Sequence, residues 1–269
     1  MSLPNPLSTL HRHRDLVVQF THRELQLRHR GSRLGHVWAL LSPLTMMALY
    51  LFVFGLIFKS KFGVLPNETT FDFALALLLG LSFYHVIAEA IAAAPMLITN
   101  QPNFVKKVVF PLEVIPFSTV ASSLYHALLS ILLLLAIAVF SRAGVSWTGA
   151  LALPVLLLPL AFMALGLAWG MSALGVFVRD ITHLTPFMTT VVMFSSAVFY
   201  APPTRDPQIW AFLKFNPLLL LINEARKAVL WHAPIDYGVM GYVYLFAAAT
   251  VALGYVLFAL LRPYFAEVL

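Results

Sequence analysis

The sequence predicts an all-α integral membrane protein with six transmembrane helices. Of its 269 residues, 61% are hydrophobic and only 10% are charged, whereas soluble domains usually carry roughly 25% charged residues. The mean hydropathy is +0.87, so a water-soluble fold could not cover so much apolar surface. The apolar residues gather into long runs, and the chain length fits about six spans of roughly 20 residues with their connectors.

The N-terminal segment, residues 1–33, is polar and basic. We expect a helix from about residue 10 to residue 29 that lies along the membrane surface, although an ordinary basic juxtamembrane tail is the alternative. Arginines that cluster before a first span normally hold a segment in the cytoplasm. They are Arg12, Arg14, Arg23, Arg28, Arg30 and Arg33.

The six predicted spans make up a transmembrane domain over residues 34–261. They cover residues 34–58, 71–97, 114–140, 147–178, 184–200 and 238–261. Pro43 interrupts the first span, which a membrane helix tolerates when its neighbours satisfy the freed carbonyl. An even number of spans places both termini in the cytoplasm, with residues 262–269 as a cytoplasmic tail.

Residues 201–237 do not form a clean span, because prolines and charges break their apolar stretches. Short helices that dip into the outer leaflet fit this pattern better, since irregular backbone at membrane depth must be buried in protein. We therefore expect re-entrant helices before the last span.

The most informative stretch is the predicted cytoplasmic loop over residues 98–113. Lys106 and Lys107 interrupt an apolar run that Pro102 and Pro111 bound. A loop so short, basic and apolar is typical of a docking point for a cytoplasmic partner. The chain has no Gly-x-x-x-x-Gly-Lys-Ser/Thr motif and so binds no nucleotide by a P-loop. We therefore expect energy to enter from a partner at this loop.

Two kinds of side chain in this loop suggest different contacts. The lysines suit carboxylates on a partner, or they snorkel to anionic lipid. Phe104 and Phe110 are better candidates for a hydrophobic anchor in a partner's groove.

The sequence gives no sign of catalysis or of a cofactor. It contains neither a His-Glu-x-x-His nor a Gly-x-Ser-x-Gly motif, and it has no cysteine. Its nine histidines include four in the N-terminal segment, which suit polar surface positions better than metal binding. We expect no catalytic residue, no metal and no cofactor in this chain.

Ionisable residues inside predicted spans are costly and usually face protein or water. His85 and Glu89 are spaced i, i+4 on one face of the second span. They form either a polar patch on a pathway or subunit contact, or a mutually hydrogen-bonded pair. His126 in the third span presents the same two alternatives.

Aromatic residues recur in the first, second and fifth spans. They suit an aromatic belt at the membrane interface or a channel lining on which sugar rings stack. The candidates for the lining are Tyr50, Phe54, Phe83, Tyr84, Phe194, Phe199 and Tyr200.

Four segments in order, over nearly the whole chain, share one resemblance. They are Arg23-Glu24 with Arg28, Arg30, Leu34-Gly35, Trp38 and Pro43-Leu44; residues 104–116; Arg179-Asp180; and Asn216-Pro217-Leu218 with Arg226. Together they resemble the membrane subunit of ABC exporters of the polysaccharide class, the O-antigen and teichoic-acid permeases. His29 departs from this pattern, because an aromatic residue is common there.

The resemblance implies a homodimer with two separate ATPase subunits, which bind the ATP and Mg²⁺. It implies that the basic N-terminal helix lies on the membrane, with Arg23, Glu24, Arg28, Arg30 and Arg33 facing lipid head groups or a lipid-linked pyrophosphate. It implies a coupling element that includes Gln101, Asn103, Phe104, Lys106, Lys107, Phe110 and Glu113. It also implies an outer gate that includes Asn216, Pro217 and Arg226.

The function implied is export of an undecaprenyl-linked polysaccharide across the bacterial inner membrane. The alternatives are an ABC exporter of a small molecule or drug, and a membrane-embedded transferase acting on lipid-linked sugars. A transferase needs acidic or histidine residues gathered at one membrane face. An ion-coupled carrier would show inverted repeats and midplane charges, and neither is evident in the sequence.

Overall fold

The computed structural model describes residues 6–28, 37–106, 110–141, 144–202 and 206–269, and every regular element in these ranges is helical. The α-helices are α1 (Pro6–Arg12), α2 (Arg14–Arg28), α3 (Trp38–Tyr50), α4 (Thr70–Leu97), α5 (Pro102–Lys106), α6 (Val114–Ala138), α7 (Trp147–Leu151), α8 (Leu153–Phe177), α9 (Ile181–Ser195), α10 (Pro207–Leu213), α11 (Pro217–Val229), α12 (Tyr237–Leu261) and α13 (Phe265–Val268). A π-helix, Leu51–Ile57, continues α3, and a 3₁₀ turn, Arg262–Tyr264, precedes α13.

Within the described ranges, five helical stretches are long and apolar enough to cross a membrane. They are Trp38–Ile57, Thr70–Leu97, Val114–Ala138, Trp147–Phe177 and Tyr237–Val268. The prediction of an all-α, multi-pass membrane protein is therefore confirmed.

The predicted fifth span is shorter in the structure than the sequence indicated. Helix α9 has 15 residues, so it rises about 22 Å, less than the roughly 30 Å of a hydrocarbon core. It ends because the chain turns at Ser196 and Ala197, where Ala197 has a φ of 50°. The count of six spans stays a prediction.

Helix α4 lies at the centre of the molecule. In its most apolar stretch, 89% of the residues are buried, because α6, α8, α9 and α11 all pack against it. A capping box starts it, in which the Thr69 hydroxyl accepts from the Asp72 amide at 3.2 Å and Asp72 Oδ2 accepts from the Thr69 amide at 3.0 Å. The other spans are arranged around this central helix.

Helices α8 and α12 approach each other at the backbone. A Cβ atom at Gly254 would collide with the carbonyl group of Gly166, so only a residue without a side chain fits there. Small residues permit such close packing between membrane helices, where apolar burial gives little drive for association.

The first span has few contacts within its own chain. Only 6% of its apolar stretch is buried, although α3 touches α4 and α6. Pro43 lies inside α3 and removes one backbone hydrogen bond, and the span then widens into the seven-residue π-helix. This span presents an apolar face to lipid or to another chain.

The N-terminal helix predicted for residues 10–29 is observed as α1 and α2, which meet at His13. Helix α2 packs on α6, and its half-buried residues Leu16, Val17 and Phe20 contact the hydrophobic core. Its predicted neighbours Arg30 and Arg33 lie outside the described residues.

Candidate functional site

Residues 98–113, which the sequence predicts to couple to a partner and which we call the coupling segment, contain the short helix α5. Asn103 and Lys106 are exposed on this helix, whereas Gln101 and Phe104 are half-buried. Lys107 lies outside the described residues. In the described part of this segment, the surface accessible to another protein is therefore the polar face of α5.

Three phenylalanines join the coupling segment to the N-terminal helix. The ring centroids of Phe104 and Phe110 are 4.8 Å apart, and Phe20 of α2 lies 5.6 Å from Phe104 and 5.0 Å from Phe110. The Arg23 guanidinium lies 5.4 Å from the Phe20 centroid. Because Phe110 is only 8% exposed, its ring is an internal contact and not the free anchor that the sequence suggested. We call these three residues the aromatic trio.

Glu113, at the end of the coupling segment, faces the protein interior. Its side chain is 0% exposed and pairs with Arg262, just after α12. Its backbone carbonyl accepts a hydrogen bond from the Trp169 indole of α8 at 3.3 Å. The chain enters α6 directly after Glu113 and so carries this carboxylate inward. Glu113 therefore does not reach a partner's surface, contrary to expectation, and it ties the coupling segment to α8 and α12.

Residues 262–268, expected to be a tail, are folded against the protein. Phe265 is fully buried, with ring centroids 5.5 Å from Phe258 and 6.1 Å from Phe177. Helix α13 also touches α5. Neither the role of Trp169 nor this packing was predicted from the sequence.

A cavity of about 860 Å³ lies between α3, α4, α6 and α9, with the end of α2 at its edge. We call it the inner cavity. Glu89 of α4 forms an ion pair there with Arg28 of α2. Burial lowers the pKa of Arg28 from its ordinary value, and the nearby Glu24 carboxylate opposes that shift. The charged partner of Glu89 in the structure is thus Arg28 rather than His85.

Several polar side chains that the sequence singled out separately line this same cavity. Tyr84 and His85 of α4 and His126 of α6 all line it. The Tyr84 hydroxyl donates to the Thr189 carbonyl of α9 at 3.2 Å. Trp38 also forms part of the wall, a role that the sequence did not indicate. In the part of the chain that the structure describes, no three His, Asp or Glu side chains could hold a metal ion together.

Most of the predicted lining aromatics lie in one cluster near the far end of the first span. The centroids of Phe54 and Phe199 are 4.9 Å apart with their planes stacked, and Tyr50 lies 5.1 Å from Phe199. Phe194 lies 6.2 Å from Phe199, and its carbonyl accepts from the Tyr200 hydroxyl. These five residues form the outer aromatic cluster.

Two other predicted lining residues lie elsewhere. Tyr84 belongs to the inner cavity. Phe83 is 0% exposed inside the core, because α4 is surrounded by helices, so its ring has no surface to offer a channel. Because Phe83 and Tyr84 are consecutive on a helix, their side chains point in different directions and lie in different environments.

Residues 206–237, the outer segment, hold two short helices, α10 and α11. Asn216 caps α11, since its Oδ1 accepts from the Leu218 amide at 3.0 Å and the Leu219 amide at 3.2 Å. Its amide nitrogen donates to the Ser195 carbonyl of α9 at 3.0 Å. Pro217 fits the first position of α11, where no backbone donor is needed.

Arg226 connects this segment to the rest of the fold. Its guanidinium is 0% exposed and donates to the carbonyls of Ala76, Ala197 and Val198 at 2.9, 2.9 and 2.7 Å. It also lies 4.3 Å from the Phe62 ring centroid. A Cβ atom at Gly80 of α4 would collide with this guanidinium, so Gly80 makes room for the charge.

A second buried charge, Glu224, completes the outer segment. This carboxylate is 1% exposed and accepts from Lys227 Nζ at 2.7 Å and from the Asp236 amide at 2.9 Å. The sequence indicated Arg226 only by resemblance and missed Gly80 and Glu224. Charged residues within a short apolar segment are the signal that could have indicated such buried bonds.

Comparison with known proteins agrees with this architecture. Residues 15–230 match the model of the ABC-2 type transporter family. The chain is 25% identical over 257 residues to the O-antigen export system permease protein RfbA of Klebsiella pneumoniae, covering 95% of each chain. It is 28% identical over 225 residues to RfbA of Myxococcus xanthus, covering 83% of each. It is 25% identical over 239 residues to the polysialic acid transport protein KpsM of Escherichia coli, covering 88% of this chain and 89% of that one. With more than half of its length in the family match and its spans packed around α4, this chain belongs to the ABC-2 type transporter family of membrane proteins.

Proposed function

We propose that this chain is the transmembrane subunit of an ATP-driven exporter of lipid-linked cell-surface polysaccharide, such as O-antigen. The names of its relatives support that substrate class. The observation that carries the proposal is the coupling segment. It exposes polar residues of α5, and its last residue, Glu113, is bonded to Trp169 of α8 and to Arg262, just after α12. Such an arrangement suits the transfer of a partner's movement into the spans.

The proposed assembly contains two copies of this chain and two ATPase subunits that bind ATP and Mg²⁺. It lies in the bacterial inner membrane with both termini in the cytoplasm. The apolar face of the first span, which makes few contacts in its own chain, supplies the contact between the two copies.

Movement starts at α5 in the proposed mechanism. Asn103, Lys106 and Lys107 contact the ATPase. The aromatic trio moves the N-terminal helix with α5, because its rings are packed together. The Glu113–Arg262 pair pulls on α12 at the same time. The spans shift as rigid elements and open a path between the two copies.

The outer aromatic cluster lines this path. Sugar rings present apolar C–H faces, and aromatic rings offer large contact areas to them. Phe194 is 56% exposed, so it offers the most free ring surface of the cluster. Helices α10 and α11, with Asn216, Pro217 and Arg226, form the gate at the outer end.

An export assay with co-purification tests the proposal. The chain is expressed with its ATPase partner in cells that lack their own copy, and surface glycan is measured. The double substitution Asn103→Asp and Lys106→Glu places negative charge on the exposed face of α5. We expect ATPase co-purification and surface glycan to fall by about tenfold or more, as for loss of an interface hot spot.

Lys61→Glu is the matched control, because Lys61 is an exposed lysine in the loop before α4. It should leave export and co-purification unchanged. Absence of any co-purified ATPase, or export that persists in the α5 double variant, would refute the proposal.

A further inference from the structure

We propose that the inner cavity binds a neutral sugar unit of the glycan. The inference deepens the proposed function, on which it rests, because it assigns a sugar site inside each copy of the chain. This site is separate from the outer aromatic cluster, which lies at the other end of the first span. Four of its groups carry the argument: Arg28, His85, Glu89 and His126.

The depth of these groups shows that the cavity extends from the side of the coupling segment to about the middle of α6. Glu89 is eight residues before the end of α4 at Leu97, a rise of about 12 Å. His85 and His126 are each twelve residues from the ends of α4 and α6 that adjoin the coupling segment, a rise of about 18 Å. A sugar chain that enters from the side of the coupling segment would therefore meet Arg28 and Glu89 before His85 and His126.

The charge balance of the cavity selects a neutral polar ligand. The positive charge of Arg28 is matched by the negative charge of Glu89 in their ion pair, so this pair carries no net charge. A phosphate would therefore have to displace Glu89 and meet its repulsion. An acyl chain would leave the polar wall without hydrogen bonds, which is costly in an apolar medium.

Hydroxyl groups suit this wall because each donates and accepts. The ion pair joins Glu89 Oε1 to one terminal nitrogen of Arg28, and both side chains keep about 30% of their surface exposed. His85 is exposed to the cavity. A carboxylate, a guanidinium and imidazoles can together bind several hydroxyls of one sugar ring.

The remaining walls and the size also fit a sugar. Trp38 is 39% exposed, so its indole offers an apolar face for the C–H side of a ring. The volume of about 860 Å³ lies within the roughly 300–1,000 Å³ typical of small-molecule sites. The cavity therefore accepts one sugar with room for its linkage to a neighbour.

Saturation-transfer NMR on the purified chain in lipid nanodiscs tests the assignment. The probes are D-galactose, D-mannose, L-rhamnose and N-acetyl-D-glucosamine, each added alone, with inorganic phosphate and soluble phosphatidylglycerol as competitors. We expect saturation transfer to at least one sugar. His85→Ala should weaken that binding by about tenfold, as expected for the loss of a good hydrogen bond at a charged site. His183→Ala, at an exposed position outside the cavity, should not change it.

A second pair of variants distinguishes the loss of a binding site from a folding defect. Ala92→Phe fills the cavity from an exposed wall position, and Ala249→Phe adds the same ring at an exposed position on α12. Only Ala92→Phe should abolish the sugar signal. No transfer to any of the four sugars, unchanged transfer in Ala92→Phe, or displacement by phosphate or phosphatidylglycerol would overturn the proposal. Because the assay needs no ATPase and no export, such a failure is distinct from failure of the proposed function.

Discussion

Charged side chains that are buried or half-buried in this protein are stabilised in two ways. Glu113 and Glu89 each pair with an arginine from another element. Arg226 instead donates to three backbone carbonyls and lies beside an aromatic ring. Bonds to several carbonyls favour the charged form even where burial opposes it. The second solution fixes the position of the outer segment more tightly, because it joins three separate stretches of backbone.

A substitution at Gly80 tests the close packing around Arg226 without changing the arginine. Gly80→Ala places a methyl group where the Arg226 guanidinium lies, so we expect the free energy of unfolding to fall by about 1–3 kcal/mol, as for overpacked cores. Thermal unfolding of the purified chain, followed by tryptophan fluorescence, measures the effect. Gly241→Ala is the matched control, because nothing lies within 4 Å of a Cβ there and alanine favours the helix. Equal midpoints for the two variants would contradict the close approach described.

At the level of elements, the coupling segment is joined to helices that are distant in sequence. The aromatic trio joins it to α2, and Glu113 joins it to α8 and α12. The folded residues 262–268 pack on α5 as well. A movement of α5 therefore reaches both ends of the chain through packed contacts.

A substitution in the Glu113–Arg262 pair can distinguish the transmission of movement through this chain from the binding of the ATPase subunit. Glu113→Gln keeps the size of the side chain but removes the charge that Arg262 binds. We expect ATPase co-purification and ATP hydrolysis to persist while glycan export falls, because the pair lies inside the chain and not at the partner's surface. Glu267→Gln removes an exposed carboxylate nearby and should leave export intact. Export that is insensitive to Glu113→Gln would show that the pair transmits nothing.

Across the whole molecule, the sequence predicted the class of fold well because apolar runs are a strong signal for membrane helices. It placed the ends of α4 and α6 within a few residues. It did not predict the early end of α9, since Ser196 and Ala197 form a turn that hydropathy does not detect. It also could not distinguish Phe83 in the core from Tyr84 in the inner cavity, because that depends on how helices pack around α4. Resemblance pointed to Arg226, but the carbonyls it binds come from distant segments.

For the proposed homodimer, the uneven burial of the spans predicts where the two copies meet. The chain has no cysteine, so single cysteines can be introduced without a background. Phe52→Cys places a thiol on the exposed face of the π-helix, and Leu245→Cys places one on the exposed face of α12. We expect a crosslinked dimer in membranes from Phe52→Cys, because the first span is the least buried of the five candidate spans, and none from Leu245→Cys. The reverse pattern would place the dimer contact on α12.

Arg28 lies where helix α2 ends at the inner cavity, so its position depends both on the cavity and on α2. It is a wall of the inner cavity and also the last residue of α2, whose Phe20 packs on the coupling segment. Any occupant that favours one position of Arg28 must favour the corresponding position of α2. By thermodynamic reciprocity, a partner that holds α2 in that position raises the affinity of the cavity by the same factor. In the proposed exporter, the ion pair with Glu89 thus links occupancy of the cavity to the position of α2 beside the coupling segment.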